Sequence, residues 1–317
     1  MQASRIPLFP GALWGLTAVL IWAGWWVLTR SSVTGRLDAT DLAALRFGLA
    51  GFVMLPQALR HRAAIAAVPK RLILFMVLGA GAPYALVAAF GLKFTTAGNG
   101  GALGTGFLPL AVTLLSGLLF GEHASRERYL GLAAILVGAA LIANIQHWSW
   151  GTRDAFVAPA FFFLSATMWA GFTLAMRRSG LSAMAATATV CVLSGVAYLP
   201  IYILFLPHDA LTAAPTEVLV TQAIYQGILT SFAALFCFSQ SVIHLGSARA
   251  AVFPALIPVA ATCLGAVALN EVPSVVETAG VVLISLGAWR ASTAKSWSRE
   301  TATSAPSRLF STLGANR

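Results

Sequence analysis

The sequence predicts an all-α integral membrane protein whose ten transmembrane helices form two inverted repeats of five helices. Composition, the spacing of apolar runs and an internal repeat support this fold class. Of the 317 residues, 58% are hydrophobic and 9% are charged, and the mean hydropathy is +0.82. Soluble domains contain about 45–50% apolar and about 25% charged residues. The composition therefore excludes a water-soluble domain.

The apolar residues fall into runs that are long enough to cross a hydrocarbon core of about 30 Å. None of the runs alternates between apolar and polar residues, and each exceeds the about 9–11 residues of a barrel strand. Helices satisfy their own backbone hydrogen bonds in lipid, so helices are the expected spanning elements. The runs cover residues 13–29, 40–57, 72–92, 98–120, 129–145, 156–176, 183–206, 218–240, 248–269 and 273–289.

Lysine and arginine are divided unequally between the two sides of the predicted bundle. The side with both termini carries 15 of the 20 basic residues, and the other carries four. Basic loops stay in the cytoplasm, so both termini are expected there, in a bacterial inner membrane. The net charge of +10 then indicates membrane lipids as partners and no nucleic acid. Residues 291–317 are basic and rich in serine and threonine, which predicts a disordered cytoplasmic tail that touches anionic lipid.

An internal repeat relates the two halves of the chain. Each half contains five runs, and because five is odd the second half enters the membrane from the opposite side. Such inverted repeats recur in secondary transporters, which hold substrate near the midplane between the repeats. A shift of 149 residues superposes Pro109 on Pro258, Glu122 on Glu271, Gly131 on Gly280 and Gly138 on Gly287, and a shift of 147 superposes Trp22-Ala23-Gly24 on Trp169-Ala170-Gly171.

These residues resemble the EamA-type repeat of the drug/metabolite transporter superfamily. The resemblance implies two such repeats, at residues 11–146 and 154–290, that export or exchange small metabolites. It also implies a central cavity lined mainly by helices one, three, four, six, eight and nine. It is carried by Thr96-Ala97-Gly98, Pro109, Glu122, Gly131 and Gly138, by the matching Leu245-Gly246-Ser247, Pro258, Glu271, Gly280 and Gly287, and by Trp14-Gly15, Trp22-Ala23-Gly24 and Leu45-Arg46-Phe47.

Prolines mark the predicted hinges. Pro109 and Pro258 lie at the midpoints of spans four and nine, and Pro83 and Pro254 lie in spans three and nine. A proline inside a helix removes one hydrogen bond, which frees a carbonyl for a ligand. Proline-interrupted helices at corresponding positions of two halves indicate a transport site. The alternative is that neighbouring hydroxyls or water satisfy these carbonyls.

Polar and aromatic side chains at mid-depth are the candidate substrate-binding residues. Polar groups are costly against lipid, so they should face protein or water. For Gln226, a pocket role and simple hydrogen bonding between helices fit equally well. The candidates are Trp22, Tyr84, Asn99, Thr105, Trp169, Gln222, Gln226 and Thr230, and span eight carries a polar stripe at Gln222, Gln226, Thr230, Ala233, Cys237, Gln240 and His244.

Other residues have a structural interpretation beside the functional one. Trp25 and Trp26 suit an aromatic belt at the membrane interface. Gly100 and Gly104 suit close helix packing, or open space for a ligand. Arg46 can reach the interface with its long stem, or can pair with a nearby aspartate or with a substrate carboxylate.

The sequence predicts a transporter of small amphipathic metabolites such as amino acids, and no enzyme, cofactor or metal. Its acidic residues avoid the membrane midplane, which argues against proton antiport through a central carboxylate. Import or facilitated diffusion of other small solutes is the alternative. An intramembrane enzyme needs converging bases or ligands, which the scattered histidines do not provide. A homo-oligomer is compatible with the sequence.

Overall fold

The computed structural model describes residues 8–121, 124–143, 156–245, 247–250 and 252–294. Within these ranges the chain is helical and contains no strand. Glu122, residues 144–155 and the tail beyond residue 294 lie outside the described residues. The long helices are α1 (Leu8–Val33), α2 (Ala39–Arg60), α3 (Lys70–Phe94), α4 (Ala97–Phe120), α5 (Arg126–Ala143), α6 (Val157–Ser179), α7 (Ala183–Phe205), α8 (Thr216–Leu245), α9 (Phe253–Leu269) and α10 (Val275–Thr293).

Eight of these helices are long and apolar enough to cross a membrane. This confirms the all-helical membrane class, but not the number of ten spans. Helix α5 begins with the charged residues Arg126, Glu127 and Arg128. Helix α9 is a shorter apolar helix. The sequence predicts a span at each of these two positions, and the count of ten stays a prediction.

Local sequence explains where several helices begin. The Thr96 hydroxyl accepts the Asn99 N–H at the start of α4, and the Ser182 hydroxyl accepts the Ala185 N–H at the start of α7. Ser274 starts α10 in the same way and forms a capping box with Glu277. Because a helix leaves its first N–H groups unpaired, these caps stabilise the starts of α4, α7 and α10.

Three helices depart from regular geometry. Helix α3 is interrupted at Gly81, where the Ala82 N–H donates to the Ser194 hydroxyl of α7 at 3.3 Å. Helix α8 is π-helical over Tyr225–Ala233, and α9 opens with the 3₁₀ turn Phe253–Leu256. Such wide or tight turns often mark functional segments of a helix.

Contacts between helix ends bring together the end of α1, the start of α2, the end of α3 and the starts of α4, α8 and α10. Glu271, in the α9–α10 connection, pairs with Arg30 of α1 and accepts the Ala97 N–H of α4. Lys93 of α3 pairs with Asp38, just before α2. We call this side of the bundle the Glu271 end.

Helices α5 and α10 pack through glycines, as the sequence predicts. A Cβ added to Gly131 would lie 2.7 Å from the carbonyl oxygen of Gly287, and one added to Gly287 would lie 2.6 Å from that of Gly131. Gly138 and Gly280 meet in the same reciprocal way, at 2.7 and 2.9 Å. Only glycine permits backbones to approach this closely, so these four positions are confirmed as packing residues.

Trp25 and Trp26 lie inside the bundle, each only 5% exposed. The belt interpretation of this pair is therefore wrong. Trp26 packs on the glycine face of α4, where a Cβ at Gly104 would collide with its ring. Because glycine has no side chain, this face of α4 has a groove that holds the large ring. Burial of the indole there stabilises the contact between α1 and α4. The packing interpretation of Gly104 is confirmed.

Candidate functional site

A hydrogen-bonded ladder joins α1 to α8. The Trp25 indole N–H donates to Gln226 Oε1 at 2.6 Å. Gln226 Nε2 donates to the Thr29 hydroxyl at 3.0 Å and to Gln222 Oε1 at 3.2 Å. Gln222 Nε2 in turn donates to the Ser32 hydroxyl at 2.8 Å and to the Leu28 carbonyl at 3.2 Å. We call these side chains the α1–α8 ladder.

The two glutamines of the ladder are saturated in this conformation. Gln226 is 2% exposed and Gln222 is 4% exposed. Each amide nitrogen donates twice, and each amide oxygen accepts once. A buried amide with all its hydrogens engaged holds two helices together and has no free donor for a ligand. We call this saturated arrangement the lock, and the binding role of Gln222 and Gln226 stays a prediction.

The π-helical segment of α8 shifts the predicted polar stripe. Beyond it, Cys237 is buried as the predicted stripe requires, but Ala234 and Ser241 are buried in place of the predicted Ala233 and Gln240. A π turn closes its hydrogen bonds over five residues instead of four, so the following helix is displaced by about one residue. No pattern in the sequence gives this displacement.

Thr230 lies in the π-helical segment and is partly buried. Its hydroxyl oxygen is buried and has no hydrogen-bond partner among the described residues. The next residue, Ser231, does find one, since its hydroxyl donates to the Gln226 carbonyl at 3.0 Å. A buried polar atom without a partner is costly, and the binding role of Thr230 stays a prediction.

Tyr84 of α3 and Trp169 of α6 form an aromatic pair. Their ring centroids are 5.1 Å apart at an interplanar angle of 52°. Phe172 extends the pair, with its ring centroid 5.3 Å from that of Trp169. Both members of the pair are only partly buried. The sequence predicts Tyr84 and Trp169 as binding residues, and the structure brings them together.

Arg46 of α2 is 8% exposed. The carbon of its guanidinium group lies 5.9 Å from the ring centroid of Trp25. Its Nε has no hydrogen-bond partner in the described part of the chain. The Tyr84 hydroxyl and the Cys191 thiol are close enough to Arg46 to interact with it electrostatically. Neither is anionic at neutral pH, so the cation has no countercharge from them.

These residues form one connected cluster at mid-depth. Trp169 contacts Tyr84, Tyr84 interacts with Arg46, Arg46 faces Trp25, and Trp25 binds Gln226. The five residues come from α6, α3, α2, α1 and α8, and each lies seven to twelve positions from the Glu271 end of its helix. At 1.5 Å per residue that is a depth of about 10–18 Å. We call this set the central cluster.

A cavity connects the Glu271 end to the ladder. Its volume is about 470 Å³, and Gln222 lies in its wall, so Gln226 is one hydrogen bond deeper. The side chains of Glu217 and Arg36 give its wall one charge of each sign. The cavity is lined by Leu28, Ser31, Ser32, Gly35, Arg36, Glu217, Val218, Thr221 and Gln222.

Three predicted binding residues have contacts other than those of the central cluster. The Trp22 ring packs on Phe238, with centroids 5.6 Å apart. Asn99 donates from Nδ2 to Glu277 Oε1 at 2.7 Å. The Thr105 hydroxyl donates to the Gly101 carbonyl in its own helix at 2.7 Å. All three have partners within the protein, and their binding role stays a prediction.

The four prolines differ in their local geometry. Helix α4 continues through Pro109 without a break. Pro258 lies in the first turn of the regular part of α9, directly after the 3₁₀ turn that contains Pro254. Pro83 lies in the first turn after the Gly81 interruption. Prolines fit first turns because their missing N–H would be unpaired there. Regular helix geometry is therefore interrupted near three of the four prolines, and the hinge role of all four stays a prediction.

Charged contacts link the two halves of the chain at the Glu271 end. Arg30 Nε lies 2.9 Å from Glu271 Oε1, and Arg30 Nη1 also donates to the Leu92 carbonyl at 2.7 Å. The other carboxylate oxygen of Glu271 accepts the Ala97 N–H at 2.8 Å. We call these contacts, together with Asn99–Glu277, the latch. Sequence reasoning missed Arg30, because a single arginine at a span end gives no signal of its partner.

Comparison with known proteins agrees with this architecture. The EamA-like transporter family matches residues 9–144 and again residues 157–293. The uncharacterized transporter YyaM of Bacillus subtilis (strain 168) is 25% identical over 273 residues, which are 81% of this chain and 86% of YyaM. A protein of known crystal structure is 22% identical in sequence to this chain. The two structures match over 89% of this chain and 96% of the other chain, with a TM-score of 0.61, and this likeness concerns the fold alone. Since the family matches twice and spans most of the sequence, the chain belongs to the EamA-like transporter family.

Proposed function

We propose that the protein moves small amphipathic metabolites, such as amino acids, across the bacterial inner membrane as an exporter or exchanger. The observation that carries this proposal is the central cluster. Five helices from both halves of the chain supply aromatic rings, one cation and amides at mid-depth. Sites built at the interface of two repeats near the midplane are typical of secondary transporters.

The two halves are proposed to be inverted repeats within a ten-span bundle, with both termini in the cytoplasm. The repeat equates Gly131 with Gly280 and Gly138 with Gly287. In the structure, Gly131 lies against Gly287 and Gly138 against Gly280. Each glycine of α5 thus contacts the α10 glycine that is the repeat equivalent of the other α5 glycine. This crossed pattern supports a two-fold axis perpendicular to the helices, and such an axis lies in the plane of the membrane.

Alternating access is proposed to work by opening and closing the latch. Arg30 and Ala97 belong to the first half of the chain, and Glu271 belongs to the second. The same division applies to Asn99 and Glu277. Rocking of one half against the other would separate these groups and expose the central cluster to the Glu271 end. Because a partly exposed ion pair contributes little, a modest free energy suffices to part Arg30 from Glu271.

Flux into proteoliposomes tests the proposed function. Purified protein is reconstituted, and the accumulation or counterflow of a panel of labelled amino acids is measured against protein-free liposomes. Trp169→Ala should slow flux of a transported solute at least tenfold while the protein still folds, because it removes one wall of the aromatic pair. Trp289→Ala is the matched control, since Trp289 is an exposed residue of α10. Absence of flux for every solute of the panel would contradict the proposal.

A further inference from the structure

Arg46 is the one charged residue with an orphaned buried atom in the described part of the chain. The other buried side-chain atoms without a partner there are hydroxyl oxygens, those of Thr230, Ser241 and Ser285. A hydroxyl without a partner costs little compared with a guanidinium, which keeps its charge inside the bundle. Ionisable residues in membrane helices are rare, usually paired and usually functional. The missing partner of Arg46 therefore needs an explanation.

The nearby carboxylates are already engaged. Asp41, on the same helix, accepts the Tyr202 hydroxyl at 2.6 Å and the Asp38 N–H at 2.7 Å. Asp38 pairs with Lys93 at 2.7 Å. No ion pair of Arg46 is found among the described residues. The pairing of Arg46 with an aspartate, one of the alternatives from the sequence, is not seen, and the described residues supply no ion pair to it.

The surroundings of Arg46 suit an amphipathic molecule. The Trp25 indole lies on one side, and Tyr84 leads on to Trp169. Helix α2 also packs on the π-helical segment of α8, since a Cβ at Gly227 would lie 2.9 Å from Leu49. That segment holds the unpartnered Thr230 hydroxyl. Arg46 therefore lies over an indole ring, on a helix that packs against the segment with the unpartnered hydroxyl.

We propose that Arg46 binds the carboxylate of the transported substrate, which is a monocarboxylate with an apolar or aromatic body. This inference rests on the proposed transport function and assigns its substrate class. A planar guanidinium matches a carboxylate with two parallel hydrogen bonds. The apolar body of the substrate packs on Tyr84 and Trp169. A single guanidinium balances one negative charge, so a diphosphate is a poor ligand, and a purely cationic amine is repelled.

Binding to purified protein tests this assignment. The probes are L-phenylalanine, L-leucine and 4-phenylbutyrate, each compared with its carboxamide, in thermal-shift titrations of the detergent-solubilised full chain. The carboxylates should stabilise the wild-type protein, and the amides should bind at least tenfold more weakly. Arg46→Gln should abolish this preference for carboxylates. Arg46→Lys keeps the charge but loses the two-pronged geometry, so its affinity for carboxylates should fall between the other two.

Arg60→Gln is the matched control, because Arg60 is an exposed residue near the other end of α2. It should bind the carboxylates as the wild type does. If Arg46 only stabilises the fold, Arg46→Gln lowers the melting temperature of the ligand-free protein and leaves the preference between acid and amide intact. That result overturns the inference. If Arg46→Gln does not fold, an unchanged preference in Arg46→Lys, with affinity equal to wild type, overturns it.

Flux measurements separate this inference from the proposed function. A wild-type protein that carries carboxylates and their amides equally well retains the transport function and contradicts the role of Arg46. A wild-type protein that carries none of the solutes contradicts the function itself. Carriage of the carboxylates alone, lost in Arg46→Gln and kept in Arg60→Gln, supports both.

Discussion

The α1–α8 ladder and the Arg46 side of the central cluster lie at similar depth and differ in how completely their polar groups are satisfied. In the ladder, the side chains of Gln222 and Gln226 use every amide hydrogen. By contrast, Nε of Arg46 on α2 and the hydroxyl of Thr230 on α8 have no partner in the described residues. A satisfied network fixes one arrangement of helices, and an unsatisfied one leaves donors for a ligand. The difference distinguishes a lock from a binding site within one cluster.

Gln226→Leu should have the largest effect on the lock. The substitution removes three hydrogen bonds and leaves the Trp25 indole N–H without an acceptor. At about 0.6 kcal/mol for each bond between membrane helices, the loss is about 2 kcal/mol. Reversible unfolding in mixed micelles measures it. Unchanged stability would mean that the ladder does not hold α1 to α8.

Glu271→Gln should have the next largest effect, on the latch instead of the ladder. A neutral amide loses the ion pair with Arg30. The side chains of Arg30 and Glu271 are both largely buried. A loss of about 1 kcal/mol shifts the equilibrium about fivefold toward opening of the Glu271 end. The distance between spin labels at the exposed positions Thr34 and Val272 measures opening, in a chain whose three cysteines are replaced by alanine.

Glu217→Gln is the control for the latch, because Glu217 is an exposed carboxylate at the same end. It should leave the distribution of distances unchanged. A Glu271→Gln protein with the same distribution as the wild type would refute the latch.

The sequence predicts the positions of the helices and several members of the cluster for simple reasons. Apolar runs and caps are local, so they identify the helices. The polar residues Gln222 and Gln226 stand out inside an apolar span, and so does the aromatic pair of Tyr84 and Trp169. What the sequence does not predict depends on contacts between distant helices. The pairing of Arg30 with Glu271 is of this kind, 241 positions apart in the chain.

Trp25 and the π-helical segment illustrate the same limit. An indole near a span end suits an aromatic belt, and only the glycine groove of α4 explains why its neighbour Trp26 lies inside. A π turn has no signature in residue type here, so the sequence does not predict that Ala234 and Ser241 are buried instead of Ala233 and Gln240. Tertiary packing decides both cases, because it is stronger than the local preference.

A matched pair of threonine substitutions should give the smallest effect and the sharpest comparison. Thr29→Val and Thr230→Val make the same chemical change, on the ladder and on the unsatisfied side. Thr29 is fully buried and accepts from Gln226 Nε2, so its loss should cost about 0.6–1.7 kcal/mol of unfolding free energy. Thr230 has no partner among the residues that the structure describes, so Thr230→Val should leave stability unchanged within about 0.5 kcal/mol. Substrate flux should fall more in Thr230→Val than in Thr29→Val, because only the Thr230 hydroxyl is free to contact a substrate.

Equal loss of stability in the two variants would mean that Thr230 is hydrogen-bonded within the folded protein. The distinction between lock and binding site would then not hold at that position.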